Sequence, residues 1–260
     1  MGVLNVTPDS FSDGGKYVQL DTAIAQANRM IDEGADLIDI GGESSKPGAK
    51  SITCAEELTR VIPVIKRLRA ESDICISIDT TKAQVMHAAI NEGASIINDI
   101  TGFRSEESLI MSAKFDVPLC LVHMQGQPMT MQNNPEYKKD VVEAVNLFFT
   151  QRIEQCVAAG IKRDNLILDP GFGFGKTVEH NMRIVNQISK FEQHGLPLLL
   201  GVSRKSTLGL LLNAPVDNRL AGGLAVAVYV ALQGVGIIRT HDVAATNQAL
   251  LMVQAITQAG

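Results

Sequence analysis

Eight short apolar runs divide the chain, and each closes on a small group of polar, charged or glycine residues. Val3–Val6 leads into Thr7-Pro8-Asp9-Ser10, Leu37–Ile40 into Gly41-Gly42-Glu43-Ser44, Ile76–Ile78 into Asp79-Thr80-Thr81, and Ile96-Ile97 into Asn98-Asp99. Leu119–Val122 then leads into His123-Met124-Gln125-Gly126, and Leu166–Leu168 into Asp169-Pro170-Gly171. The last two are Leu198–Leu200 into Gly201-Val202-Ser203-Arg204-Lys205 and Gly236–Ile238 into Arg239-Thr240-His241-Asp242. Parallel strands covered on both faces read as continuous apolar runs of this kind. Between the runs, apolar residues recur at helical spacing over 21–33, 54–70, 81–92, 105–115, 136–159, 177–193, 218–233 and 243–258. Pro63 is expected to kink or divide the second of these helices. Eight strand-helix units, with no linker or shift in composition, predict one α/β domain over 1–260, a (β/α)8 TIM barrel. The polar groups that close the runs would meet at the carboxyl-terminal face of the strands, where such barrels keep their active sites.

An open doubly wound sheet is the alternative. It usually needs fewer strands and often carries its phosphate loop after the first one. The first loop here, Thr7 to Lys16, holds no Gly-x-Gly-x-x-Gly. Gly171–Lys176 is rich in glycine but lacks the order of glycines and Lys-Ser/Thr that cradles phosphates.

The bulk properties narrow the range of partners. A net charge of -5 argues against a nucleic-acid coat or an anionic-membrane binder, which need basic patches. No apolar stretch approaches the roughly 20 residues of a membrane span. Cys54, Cys75, Cys120 and Cys156 are too scattered for a zinc knuckle or a redox pair, so a reduced, cytoplasmic setting is expected. The chain starts almost inside its first run, which suggests a missing upstream segment such as a plug for the barrel's lower end.

The closing groups carry unequal chemistry. Ser203-Arg204-Lys205-Ser206 and Arg239-Thr240-His241 put three cations and a histidine at neighbouring strand ends, the usual phosphate position of a barrel. Pairing with barrel carboxylates is the plainer alternative for them. Asp79, Asn98 and Asp169 supply acceptors that suit a flat heterocycle rich in N–H donors. Each could also merely cap a helix or close a turn. Two glycine-rich loops follow runs one and two: Asp9-Ser10-Phe11-Ser12-Asp13-Gly14-Gly15 and Gly41 to Gly48. His123 and His241 show no zinc-site spacing. A magnesium ion held by one or two protein oxygens and a substrate phosphate suits the chain better, and Asn5 is an oxygen donor of that kind.

The segments Asn5–Gly15, Gly41–Ser44, Ile97–Ile100, His123–Gly126, Asp169–Lys176, Ser203–Ser206 and Arg239–Asp242 together resemble, in order, the motifs of the dihydropteroate synthase family. The resemblance covers nearly the whole chain and lacks only the amino-terminal hairpin. It implies condensation of 6-hydroxymethyl-7,8-dihydropterin pyrophosphate with p-aminobenzoate to 7,8-dihydropteroate and pyrophosphate, a step of folate biosynthesis. It further implies a cytoplasmic homodimer that uses Mg2+.

Carried over by position, Asp79, Asn98, Asp169 and Lys205 match the pterin site. Arg239 matches the residue that stacks on the pterin and contacts pyrophosphate. Asn5 and His241 match the magnesium and pyrophosphate positions. Phe174, Pro47, Lys205 and Ser206 line the p-aminobenzoate pocket, with Phe11 on the first loop. Asp79, Lys205, Arg239 and His241 are then the catalytic set. The second loop departs from the family's Ser-Thr-Arg-Pro-Gly: Ser44-Ser45-Lys46-Pro47-Gly48 keeps the hydroxyl and the charge of the substrate-binding positions Ser45 and Lys46, but loses the guanidinium fork. The alternatives are a pterin-binding methyltransferase on the same barrel and a catalytically idle pterin-binding paralogue.

Overall fold

The computed structural model describes residues 1–7, 16–44, 48–127 and 129–259. All eight apolar runs are strands: β1 (Gly2–Asn5), β2 (Leu37–Gly41), β3 (Cys75–Asp79), β4 (Ile96–Asp99), β5 (Leu119–Val122), β6 (Leu166–Asp169), β7 (Leu199–Gly201) and β8 (Ile237–Arg239). Strands β1 to β6 pair in order as one parallel sheet, and β7 pairs with β8. Parallel bridges at Leu168–Leu198 and Gly2–Thr240 join the two sheets at both seams. Each seam carries backbone hydrogen bonds, Leu168 N–H to Pro197 O at 2.9 Å and Val3 N–H to Thr240 O at 3.0 Å. The ring of strands is therefore continuous, and the fold is a TIM barrel.

Side chains alternate across each strand, which sorts the residues into two layers. Ile38, Ile40, Ile76, Ile78, Leu119, Leu121, Leu166 and Leu168 face outward into the main core under the helices. Cys120, Val122, Ile167 and Leu199 form a second apolar cluster inside the barrel, packed against Met1 and Ile237. The register sets Asn5, Gly41, Asp79 and Asn98 side by side across β1 to β4. Gly201 likewise stands beside Arg239. The barrel interior is thus apolar on the β5–β7 side and polar on the β2–β4 and β8 side.

Around the strands run α1 (Lys16–Asp32), α2 (Cys54–Glu71), α3 (Ala83–Asn91), α4 (Glu106–Ser112), α5 (Val141–Ala158), α6 (Val178–Asn186), α7 (Ser206–Leu212), α8 (Leu220–Ala231) and α9 (Val243–Gln258). Three expectations need correction. Helix α2 passes through Pro63 undivided, because the ring faces solvent while Val61, Val64, Ile65 and Leu68 bury the opposite face. The helix expected from residue 136 begins at Val141, since the Asp140 side chain accepts from the N–H groups of Val142 and Glu143 and caps it there. The segment expected as one helix over 177–193 ends its α-turns at Asn186 and continues as a 3-10 helix, Ile188–His194.

Helix α7 was not anticipated. Gly209 breaks its apolar spacing and leaves room for a neighbour: a Cβ there would stand 2.2 Å from the Arg219 guanidinium, which would have to move. Arg219 in turn donates from Nε to Ala214 O at 3.0 Å, fixing the turn between α7 and α8.

Phe149 of α5 sits in the outer core. Its ring is fully buried and lies 5.7 Å from both Phe148 and Phe191, edge-on to the latter. Truncating such a side chain removes its transfer free energy and leaves a cavity, at a cost of about 3–5 kcal/mol. Phe149→Ala is expected to lose that much in urea unfolding with an unchanged slope; a loss below about 1 kcal/mol would show that the layer collapses freely.

Candidate active site

Arg239, at the end of the last strand, reaches back across the barrel. Its Nε donates to Asp39 Oδ2 at 2.7 Å and one terminal nitrogen donates to Asp79 Oδ2 at 2.9 Å. Asn98 Nδ2 lies 3.2 Å from the same Asp39 oxygen. These groups stand together because β2, β3, β4 and β8 each turn an inward position to the interior at about the same height. Asp39 is completely buried, and Arg239 is its ion-pair partner. Burial opposes the charge on Arg239 as well, but Asp39 and Asp79 outweigh it and hold the guanidinium firmly protonated. Asp79 is pushed up to about 7, first by burial and then by the neighbouring Asp39, against the pull of Arg239.

Asp169 ends β6, and its Oδ1 accepts the Gly171 N–H at 2.7 Å. Burial raises its pKa, with that N–H and Lys205 pulling the other way. Lys205, half-buried, holds its Nζ 3.7 Å from the centre of the Phe174 ring, a cation–π contact. Burial and the nearby Arg239 bring its pKa down to about 8. Ser203 Oγ lies 3.1 Å from both the backbone nitrogen and Nδ1 of His241. Burial, Arg239 and Arg204 lower the His241 pKa to about 4, so the ring is neutral at pH 7. Arg204, read in the sequence as part of the cation cluster, turns to the rim instead and pairs with Asp242 at 2.6 Å.

Asp39 Oδ1, Ser77 Oγ and Asn98 Oδ1 are buried without a hydrogen-bond partner. Buried polar atoms are normally satisfied, so three open groups on one side of the interior mark a place for polar contacts from a ligand. Arg239, their neighbour, also lines a cleft of about 1100 Å³ together with Asn5, Phe174, Lys205, Ser206 and His241; Asp79, Asn98 and Asp169 do not line it. Phe11, Ser45, Lys46 and Pro47 lie outside the described residues. Below the second loop, Lys82 pairs with Glu43 and with the fully buried Glu57.

Sequence reasoning passed over two groups. Asp39 interrupts an apolar run one pleat below the strand end, and a carboxylate at such a position was the available signal. Lys176 was read only as the end of a failed phosphate loop. Its buried Nζ instead contacts His123 Nδ1 and Gly171 O at 2.9 Å, Phe174 O at 3.1 Å and His123 O at 3.3 Å. The glycine-rich loop wraps this ammonium: Gly171, Gly173 and Gly175 all have positive φ, and a Cβ on Gly171 would stand 1.9 Å from His123 O. Burial lowers Lys176 to about 7 and His123 well below its ordinary value. His123 is therefore a neutral acceptor in the wall of the loop. Among the described residues, no group of three or more His, Cys, Asp or Glu side chains forms a metal cage, and no helix is long and apolar enough to cross a membrane.

A family model described as pterin binding enzyme matches residues 1–241. The dihydropteroate synthase of Haemophilus influenzae is 48% identical over 259 residues, covering 100% of this chain and 94% of its own length. The crystal structure of the Yersinia pestis dihydropteroate synthase in complex with a sulfonamide drug is similar with a TM-score of 0.94 and 49% identity, over 99% of this chain and 94% of that one. The Xanthomonas albilineans dihydropteroate synthase with 4-aminobenzoic acid has a TM-score of 0.93 and 43% identity, covering 99% and 92%.

The Asp79 environment has a consequence for stability. Its folded pKa of about 7 lies above the ordinary carboxylate value of 3.8, so the folded state favours the protonated acid. The resulting stabilisation is complete below about pH 4 and is lost as pH rises to about 7. Asp79→Asn has no such loss. In urea unfolding it is expected to gain on the wild type steadily over that window; a pH-independent difference would show that Asp79 titrates normally.

Proposed function

The chain belongs to the dihydropteroate synthase family, and from that premise we propose how its own residues carry the reaction. The enzyme is a transferase: it condenses 6-hydroxymethyl-7,8-dihydropterin pyrophosphate with p-aminobenzoate, giving 7,8-dihydropteroate and pyrophosphate. The observation that carries the assignment of roles is the pinned Arg239, which stands between an acceptor side and a cation side at one end of the barrel.

The acceptor side takes the pterin. Asp169 keeps one oxygen free of the Gly171 N–H, and Asn98 Oδ1 is open and buried. Both are acceptors for the amino-pyrimidine edge. The cation side takes the pyrophosphate. With Ser203 donating to His241 Nδ1, the ring proton rests on Nε2, which then donates to a phosphate oxygen. Arg239 supplies a fixed positive charge beside it. Phe174, Lys205 and Ser206 form the wall for p-aminobenzoate, and the family pattern adds Phe11, Ser45, Lys46 and Pro47 from the two loops.

The bond between the pterin methylene carbon and the pyrophosphate oxygen breaks first, with both electrons leaving on oxygen. Arg239 and Lys205 offset the departing charge. The ionised Asp79 stabilises the pterin-methylene cation electrostatically. The p-aminobenzoate nitrogen then attacks that carbon and gives up a proton. No covalent enzyme nucleophile takes part.

The donor set also bears on magnesium. Asn5 offers one neutral oxygen in the cleft, and among the described residues no carboxylate cage stands beside it. Such a set fits an ion that arrives with the pyrophosphate and keeps its other ligands from phosphate and water. Bound there beside Asn5, it would supply further neutralisation of the leaving group.

We take α7 to α9 as a homodimer face. Leu210, Leu212, Leu220, Leu232, Met252 and Ile256 are large apolar residues exposed on or beside these helices. Large apolar side chains exposed in such number on neighbouring helices suit a contact with another molecule. The four free cysteines fit the cytoplasm.

Pyrophosphate release that depends on p-aminobenzoate tests the reaction. Lys205→Ala is expected to lose most of that turnover, about a hundredfold or more, with an unchanged circular dichroism spectrum. Near-normal turnover would remove Lys205 from the catalytic set. An excess of chelator is expected to suppress release; full activity there would contradict the role of magnesium.

A further inference from the structure

The two walls of the p-aminobenzoate slot come from different units of the barrel. Phe174 stands in the loop after β6, whereas Lys205 and Ser206 stand in the turn between β7 and α7. Lys205 Nζ lies only 3.7 Å from the Phe174 ring centre, so the two loops are held at a narrow spacing. Gly173 is part of that contact: it has a φ of +80°, and a Cβ there would lie 3.2 Å from Lys205 Cδ.

One buried side chain spans the gap. Asn181 of α6 is 0% exposed. Its Oδ1 accepts the Gly173 N–H at 2.8 Å, and its Nδ2 donates to Thr207 Oγ1 and to Thr177 O, both at 2.9 Å. The orientation of the amide follows from its partners. A backbone N–H only donates, so it faces the oxygen, and both Nδ2 hydrogens then meet acceptors. Gly173 immediately precedes Phe174, and Thr207 follows Lys205-Ser206 directly. Asn181 therefore spends its three bonds on the chain around the slot and keeps none for a substrate.

We propose that Asn181 is a positioning residue for the second substrate: by joining Gly173 to Thr207 it sets the spacing of Phe174 from Lys205 and Ser206, and with it the width of the slot for the aromatic amine. The proposal rests on the placement of that amine against Phe174. Most of the pterin and pyrophosphate groups hang from β3, β4 and β8, and Asp169 is fixed at the end of β6 by the Gly171 N–H; Lys205 alone serves both substrates and adjoins the bridge. Loosening the bridge should therefore weigh far more on p-aminobenzoate than on the pterin.

Steady-state kinetics of the full chain with each substrate varied in turn test this. Asn181→Ala and Thr207→Val are expected to raise the KM for p-aminobenzoate about tenfold and to leave that for dihydropterin pyrophosphate within about twofold. Thr207→Ser keeps the hydroxyl and should behave as wild type. The double variant Asn181→Ala/Thr207→Val should be no worse than the weaker single one, because both remove the same bridge. If Asn181→Ala fails to fold, the comparison of Thr207→Val with Thr207→Ser decides. Parallel changes in both KM values, no change in either, or equal damage from Thr207→Ser and Thr207→Val would overturn the proposal. Phe174→Leu separates the two readings. A raised p-aminobenzoate KM there, with Asn181→Ala and Thr207→Val normal, overturns the bridge alone. An unchanged KM in Phe174→Leu removes the slot, and the bridge's role with it.

Discussion

The pairing of Arg239 with Asp39 and Asp79 is the contact on which the site depends. It joins the end of β8 to β2 and β3, at 2.7 and 2.9 Å, through the middle of the barrel. Removing charges from water is costly, and two carboxylates against one guanidinium leave a negative excess. Asp79 carries that excess as a raised pKa, because burial and Asp39 outweigh the attraction of Arg239. The free site is thus electrostatically unfinished. Polar atoms of Asp39, Ser77 and Asn98 without partners complete the picture of an interior arranged for donors that a ligand brings.

The barrel divides this work between its two sides. The β5–β7 side is filled by Cys120, Val122, Ile167 and Leu199 and acts as a firm backing. Loops above it are braced by buried polar side chains, Lys176 inside the glycine-rich turn and Asn181 between that turn and α7. The opposite side holds the Asp39–Asp79–Arg239 cluster, while Asp169 and Lys205 stand at the rim of the apolar side. Precise placement comes from strand ends, and adaptable contact comes from loops, which is how one barrel end serves two substrates of different chemistry.

Much of this could be read from the residues alone. The eight runs became eight strands, because period and burial agree at each of them. Asp79, Asn98, Asp169, Lys205, Arg239 and His241 do converge, since each closes a run and strand ends share one face. Three features were hidden, for distinct reasons. Asp39 lies inside a run, where a lone acidic residue looks like noise until its partner from β8 is seen, 200 residues away in sequence. Helix α7 was concealed by Gly209, whose reason is the Arg219 side chain and not the local sequence. Asn181 has no signal of its own, because its role is defined by two loops that only the folded chain brings together.

The central claim is that burial and Asp39, against the pull of Arg239, hold Asp79 far from its ordinary titration. Carbon-13 NMR of the Asp79 carboxyl across the pH range, in the wild type and in Asp39→Asn, tests it most directly. The account predicts a midpoint near about 7 in the wild type and a clear fall toward the ordinary carboxylate value in Asp39→Asn, where Arg239 loses its second anion. A midpoint near about 4 in both proteins would contradict it.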